Sequence, residues 1–209
     1  MYKNIGLTGG IGSGKNTVAK IFEEFGFYTI DSDVSSRAVM QKGGIAYDDI
    51  INYFGESILL NDGEINRTLL GSIVFSDQNK LKTLESIVHP AIDKYEKKIK
   101  GQIKSTNSQA VIITHAALLI ESNSIDQFDM LIVVTASLEK RIERIKQRDN
   151  KTDDEIHKIL NSQLNETERL KYANVIIDNS GSLDDLYKEV TRVVNLIKQL
   201  NYGVKHFEK

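Results

Sequence analysis

The 209-residue chain has no cysteine and a single proline, Pro90. Without cysteine there is no disulfide framework and no thiol chemistry, which fits a reducing compartment. With one proline there is no proline-rich linker to separate domains, and no repeat or low-complexity tract interrupts the chain. No apolar run approaches the roughly 20 residues that span a bilayer. The opening Met1-Tyr2-Lys3-Asn4 runs into a glycine loop and not into the apolar core of a signal peptide. Neither sign of charge dominates: 27 Lys and Arg against 29 Asp and Glu leave a net charge of −2, which offers no footprint for nucleic acid. These absences leave a soluble protein expected in the cytoplasm. At 40 % hydrophobic residues it has enough apolar side chain for a full core in one compact domain with sub-domains.

Short apolar runs alternate with longer amphipathic stretches. Tyr2–Thr8, Phe27–Asp31, Ala110–Thr114, Met130–Thr135 and Asn174–Asp178 read as five strands, and the unbroken third and fourth runs suit strands buried on both faces. Lys15–Phe25 reads as a helix with Val18, Ile21, Phe22 and Phe25 on one face. A last helix carries Leu186, Val190, Val193, Ile197 and Leu200 at helical spacing, with Ser182-x-x-Asp185 as its cap. Alternation of strand and helix predicts an α/β fold: a parallel sheet covered on both sides. Two stretches break the alternation. Residues 32–104 are mostly helical in pattern and too long for a simple crossover, so they read as a substrate-binding insert. Residues 137–172 are charged and helical, with helix starts at Thr152-x-x-Glu155 and Asn165-x-x-Glu168, and read as a mobile lid. The remainder, 1–31 with 105–136 and 173–209, forms the expected nucleotide-binding core.

The chemistry begins at Gly9-Gly10-Ile11-Gly12-Ser13-Gly14-Lys15-Asn16-Thr17, which follows an apolar strand and opens an amphipathic helix. Glycines let successive backbone N–H groups point into one concavity. The following helix adds its positive end, and Lys15 reaches the β- and γ-phosphates. The loop therefore points to a purine nucleoside triphosphate, ATP with Mg²⁺. The position after Lys15, usually a Ser or Thr that ligates the metal, is Asn16, whose amide oxygen is also a hard donor. At the end of the second strand, Asp31-Ser32-Asp33 supports two readings: a helix N-cap, or a carboxylate that takes the proton of an attacking hydroxyl. Arg144 and Arg148 are four residues apart and share one side of a helix with Arg141.

An ordered series of segments resembles the dephospho-CoA kinase family along nearly the whole chain. It runs from Gly6-Leu7-Thr8-Gly9 through Lys15, Asp31-Ser32-Asp33 with Arg37, Gly63-Glu64-Ile65-Asn66-Arg67, Val74-Phe75 and His89-Pro90. It continues with Ala117-Leu118-Leu119-Ile120-Glu121, Arg144 with Arg148-Asp149, and Ala173-Asn174 to Asp178-Asn179-Ser180-Gly181. The resemblance implies a three-layer phosphate-loop NTPase fold with a five-stranded parallel sheet, a helical acceptor-binding insert and a helical lid. It implies transfer of the γ-phosphoryl group of ATP to the ribose 3′-hydroxyl of dephospho-CoA. On that basis Asp33 is the base, and Lys15, Arg144 and Arg148 neutralise the transferring group. Gly10, Ile11, Gly12, Ser13, Gly14, Lys15, Asn16 and Thr17 hold the phosphates, Asn16 also the metal, and Asn179 and Gly181 the adenine. Asp33, Arg37, Arg67, His89, Leu118 and Glu121 fall in the acceptor's share. No nucleic acid or membrane partner is implied. The sequence departs from the family at Asn16, at His115-Ala116-Ala117 in place of Asp-x-Pro, and at Arg141 in place of Gln. A nucleoside-, nucleotide- or shikimate-type kinase shares the loop-and-lid logic, and a nucleotide-binding switch without turnover shares the loop.

Overall fold

The computed structural model describes residues 3–122 and 124–202. They form two compact units: the described residues up to Ile30 with those from Gln109 onward, and Asp31–Ser108. Among the described residues, no helix is long and apolar enough to cross a membrane.

The first unit is built on five strands, β1 (Asn4–Thr8), β2 (Tyr28–Asp31), β3 (Ile112–His115), β4 (Met130–Thr135) and β5 (Val175–Asp178), in the order β2-β3-β1-β4-β5. β1 is central and pairs in parallel with β3 (Leu7 opposite His115) and with β4 (Thr8 opposite Val133). Side chains alternate across β4, so its two faces enter different cores. Ile132 and Val134 pack with Ile5 and Leu7 against helix α1 (Lys15–Glu24) and the last helix of the chain, Leu183–Tyr202. Leu131 and Val133 face Leu119, Ile120 and Leu170 on the opposite side. Burial on both faces is why these runs show no polar alternation.

The strand expectations hold with shifted ends. Tyr2 lies outside the described residues. Phe27 precedes β2 and packs edge-to-face on Phe22 with ring centroids 5.4 Å apart. β3 starts two residues later and ends one later than expected, after Val111 accepts the Tyr28 N–H. In the last helix Leu186, Val190, Val193 and Ile197 are buried, but Leu200 is 45 % exposed, because the final turn lies beyond the core cluster. Val194 is buried in addition. Ser182 and Asp185 exchange the reciprocal bonds of a capping box, as do Thr152 and Glu155. Asn165 caps through the Thr167 N–H, while Glu168 pairs with Lys171.

The second unit is helical. It comprises α2 (Ser32–Met40), α3 (Tyr47–Phe54), α4 (Arg67–Phe75) and the 29-residue α5 (Gln78–Thr106). Its own core gathers Val39, Ile50, Ile58, Leu70, Val74, Val88 and Ala91. His89-Pro90 lies inside a helix. α5 runs through it, with Val88 and Ala91 on the buried side offsetting the hydrogen bond that proline removes. The first unit then continues with α6 (Leu138–Asp149), α7 (Asp153–Ser162), α8 (Glu166–Leu170) and the closing helix α9 (Leu183–Tyr202).

Candidate active site

The glycine loop joins β1 to α1 at the carboxyl end of the central strand, where ligands of parallel sheets collect. Gly12 and Gly14 have φ of 77° and 88°, the left-handed region in which a side chain is strained. Space excludes one as well: a Cβ on Gly12 would lie 2.7 Å from the Arg141 carbonyl oxygen, and one on Gly14 would collide with the Asn179 amide. The loop is braced on its carbonyl side. Arg144 Nη1 donates to the Gly12 and Ser13 carbonyls at 3.3 and 3.4 Å, and Asn179 Nδ2 to the Ser13 carbonyl at 2.8 Å. Arg144 Nη2 donates to the Asn179 carbonyl at 2.8 Å, which ties the two braces together. In a planar trans peptide, the C=O of one residue and the N–H of the next point opposite ways. Holding the Ser13 carbonyl from behind therefore turns the Gly14 N–H to the front. The N–H groups of Gly12, Gly14 and Asn16 have no acceptor among the described residues. α1 begins without a side-chain cap and without an acid in its first turn. The loop and helix end thus present uncommitted donors and positive dipole to an anion.

Lys15 Nζ lies 3.5 Å from Asn16 Oδ1, so the amide oxygen of the departing position faces the Lys15 ammonium. An oxygen donor there suits a hard cation. No group of three or more His, Cys, Asp or Glu that could hold a metal occurs among the described residues.

In the second unit the two carboxylates after β2 separate in role. Asp31 caps α2, accepting from the N–H groups of Asp33 and Val34 at 2.9 and 3.3 Å. Asp33 is exposed, and with Ser36, Arg37, Arg67 and Thr68 it lines a cavity of about 530 Å³. Arg37 and Arg67 also line a second cavity of about 200 Å³ with Met40, Gln41, Glu64 and Ile65. Neither guanidinium has an ion pair or side-chain hydrogen bond among the described residues. Burial, and then the neighbouring Arg37 charge, lowers the pKa of Arg67. Two cations facing one cavity beside a carboxylate suit an anion.

The other expected residues land differently. Arg148 is exposed and held bidentately by Asp149 at 2.7 and 2.8 Å. Glu121 accepts from Arg169 Nη2 at 3.0 Å and the Leu164 N–H at 3.2 Å, tying the segment after β3 to the approach to α8. Leu118 is exposed, as are Thr17 and Gly181, and His89 lies exposed on α5 and lines neither cavity. His115, the departure from Asp, is buried in β3. Four residues beyond the expected site enter the architecture. Gln163 accepts from the Ile11 N–H, and Arg141 donates to the Ile11 carbonyl. Arg169 is fully buried, and Glu96 is buried against Ser32. Gln163 carried no sequence signal. Arg141 showed as a helix-face neighbour of Arg144 and as a departure from the family pattern, without its partner.

Kinases of the phosphate-loop class combine such a braced loop, at the carboxyl end of a central parallel strand, with a separate acceptor-binding unit, and this chain is one of that class. The sequence profile described as dephospho-CoA kinase matches residues 3–185. The dephospho-CoA kinase of Fusobacterium nucleatum is 40 % identical over 194 residues, covering 92 % of this chain and 97 % of that protein. That of Aquifex aeolicus is 39 % identical over 191 residues, covering 91 % and 95 %. The solved structure of dephospho-CoA kinase from Campylobacter jejuni superposes with a TM-score of 0.68 at 28 % identity, covering 97 % of this chain and 99 % of that one. The chain belongs to the dephospho-CoA kinase family.

Proposed function

We infer that the chain transfers the γ-phosphoryl group of ATP to the ribose 3′-hydroxyl of dephospho-CoA, giving coenzyme A and ADP. The observation that carries this is the cavity that joins the uncapped carboxylate of Asp33 to Arg37 and Arg67, in a chain of this family. Asp33 takes the proton of the 3′-hydroxyl, and the ribose 3′-oxygen forms a bond to the γ-phosphorus. The bond from that phosphorus to the β–γ bridging oxygen breaks, and ADP leaves. The loop amides and Lys15 hold the β- and γ-oxygens. Arg37 and Arg67 bind the acceptor's diphosphate, whose charge answers theirs. Asn16 Oδ1 would hold Mg²⁺, which would supply charge neutralisation of the triphosphate.

In this reading residues 1–31, 105–136 and 173–209 bind nucleotide, 32–104 bind acceptor, and 137–172 act as a lid that brings Arg148 to the phosphates. Arg144 serves the reaction by setting the loop and Asn179. The remaining acceptor contacts, His89, Leu118 and Glu121, rest on the family pattern alone. A cytoplasmic setting suits a cysteine-free enzyme acting on two small anionic substrates, with no nucleic acid or membrane partner.

The test is ADP release from ATP with dephospho-CoA, shikimate, a nucleoside or a nucleoside monophosphate as acceptor. Turnover with dephospho-CoA alone supports the assignment. Turnover with another acceptor in its place moves it to a different small-metabolite kinase. Tight ATP binding with no ADP from any acceptor favours a nucleotide-dependent switch.

A further inference from the structure

Two side chains from residues 137–172 grip both polar groups of a single residue in the phosphate loop. Gln163, which closes α7, accepts from the Ile11 N–H through Oε1 at 2.9 Å. Arg141 on α6 donates from Nε to the Ile11 carbonyl at 2.9 Å. Arg141 is itself fixed: it is buried, and its Nη1 pairs with Glu166 Oε2 at 3.3 Å. The space it fills is the one a side chain at Gly10 would need.

Peptide planarity gives these contacts a consequence for the neighbours. Gln163 fixes the plane between Gly10 and Ile11, so the Gly10 carbonyl points the other way, where it accepts the Ser13 N–H at 3.1 Å. Arg141 fixes the plane between Ile11 and Gly12, which directs the Gly12 N–H away from the guanidinium. That N–H has no acceptor among the described residues, whereas the Ile11 N–H is already taken. With Arg144 and Asn179 on the next two carbonyls, three consecutive carbonyls, Ile11, Gly12 and Ser13, are held from one side. Glycines at φ near 80° make this stretch costly to order, so bonds formed before the ligand arrives reduce what binding must offset.

We propose that Gln163 and Arg141 are positioning residues that clamp Ile11 and pre-set the phosphate loop for the triphosphate, through donors and acceptors that never touch the nucleotide. The clamp rests on the reading of the loop as the ATP phosphate site, and it is independent of which acceptor is used. Arg141 stands where the family pattern has Gln, so this chain anchors its loop with a charged, doubly bonded side chain.

The experiment measures binding of a non-hydrolysable ATP analogue by calorimetry, with kcat, both KM values and Tm, in Gln163→Ala, Arg141→Ala and Arg141→Lys. Each alanine variant is expected to weaken the analogue about tenfold, the scale of one lost hydrogen bond. KM for ATP rises in parallel, while the acceptor KM and kcat stay within about threefold. Arg141→Lys, which keeps a donor, recovers most of the loss. Unchanged analogue affinity in both folded alanine variants overturns the clamp. Should the variants not fold, amide exchange in the unaltered, nucleotide-free protein decides: the Ile11 N–H must exchange well behind those of Gly12 and Gly14, and equal rates overturn the proposal. If the unaltered protein binds the analogue but does not turn over dephospho-CoA, the acceptor assignment fails and the clamp stands.

Discussion

Asp31 and Asp33 are two residues apart, chemically identical, and differently employed. Asp31 commits its carboxylate to the Asp33 and Val34 amides in the first turn of α2, while Asp33 keeps its own for the cavity it shares with Arg37 and Arg67. Replacing Asp33 by Asn removes the proton acceptor but keeps the shape. kcat is expected to fall by about 10²–10⁴, the usual share of general-base catalysis, with ATP-analogue affinity retained. Near-normal turnover in this variant would remove Asp33 from the role. Arg67→Ala takes away one of two cations that repel each other until an anion arrives. The dephospho-CoA KM should rise about ten- to a hundredfold, as for a lost charge-assisted bond, with the ATP KM little changed. An effect confined to the ATP KM would contradict the acceptor role. Gly12→Ala meets both a left-handed φ and the Arg141 backbone, so calorimetry should find no analogue binding in a protein that still melts cooperatively.

At the scale of elements, the signals that could be read were those with local causes. The unbroken run Met130–Thr135 is a strand with the expected bounds, because burial on both faces leaves no polar position to blur its ends. Ser182-x-x-Asp185 and Thr152-x-x-Glu155 are capping boxes because both partners sit within one turn. The phosphate loop was legible for the same reason, since its donors lie in consecutive residues, whereas at Asp31-Ser32-Asp33 the residues alone left cap and base open. What escaped depends on distant partners. Gln163 meets Ile11 across 152 positions, and Glu121 is occupied by Arg169 48 positions away. Glu96 in α5 is buried against α2, where it accepts from Ser32 Oγ at 2.7 Å. Burial raises its pKa above 4.5, with the Ser32 hydrogen bond opposing. The folded chain therefore keeps this proton in a pH range above 4.5 where the unfolded chain has lost it, and stability falls as pH rises through that range. Glu96→Gln, which cannot ionise and can still accept from Ser32, should raise Tm at about pH 7.5 and lose that advantage near pH 4. A difference independent of pH would contradict the assignment.

At the scale of the whole molecule, the chain divides its chemistry between two compact units. One carries the braced glycine loop, and the other carries the Asp33 carboxylate with Arg37 and Arg67 around one cavity. Membership of the dephospho-CoA kinase family fits this division. The central claim is that the phosphoryl group passes from one specific donor position to one specific acceptor oxygen. Transfer of ³²P from γ-labelled ATP to dephospho-CoA, with the labelled position mapped by a 3′-specific nucleotidase, tests it most directly. The account predicts a single labelled product, coenzyme A, whose label is released entirely by the nucleotidase, and none with Asp33→Asn under the same conditions. Label at another position, or label appearing only as inorganic phosphate, would contradict it.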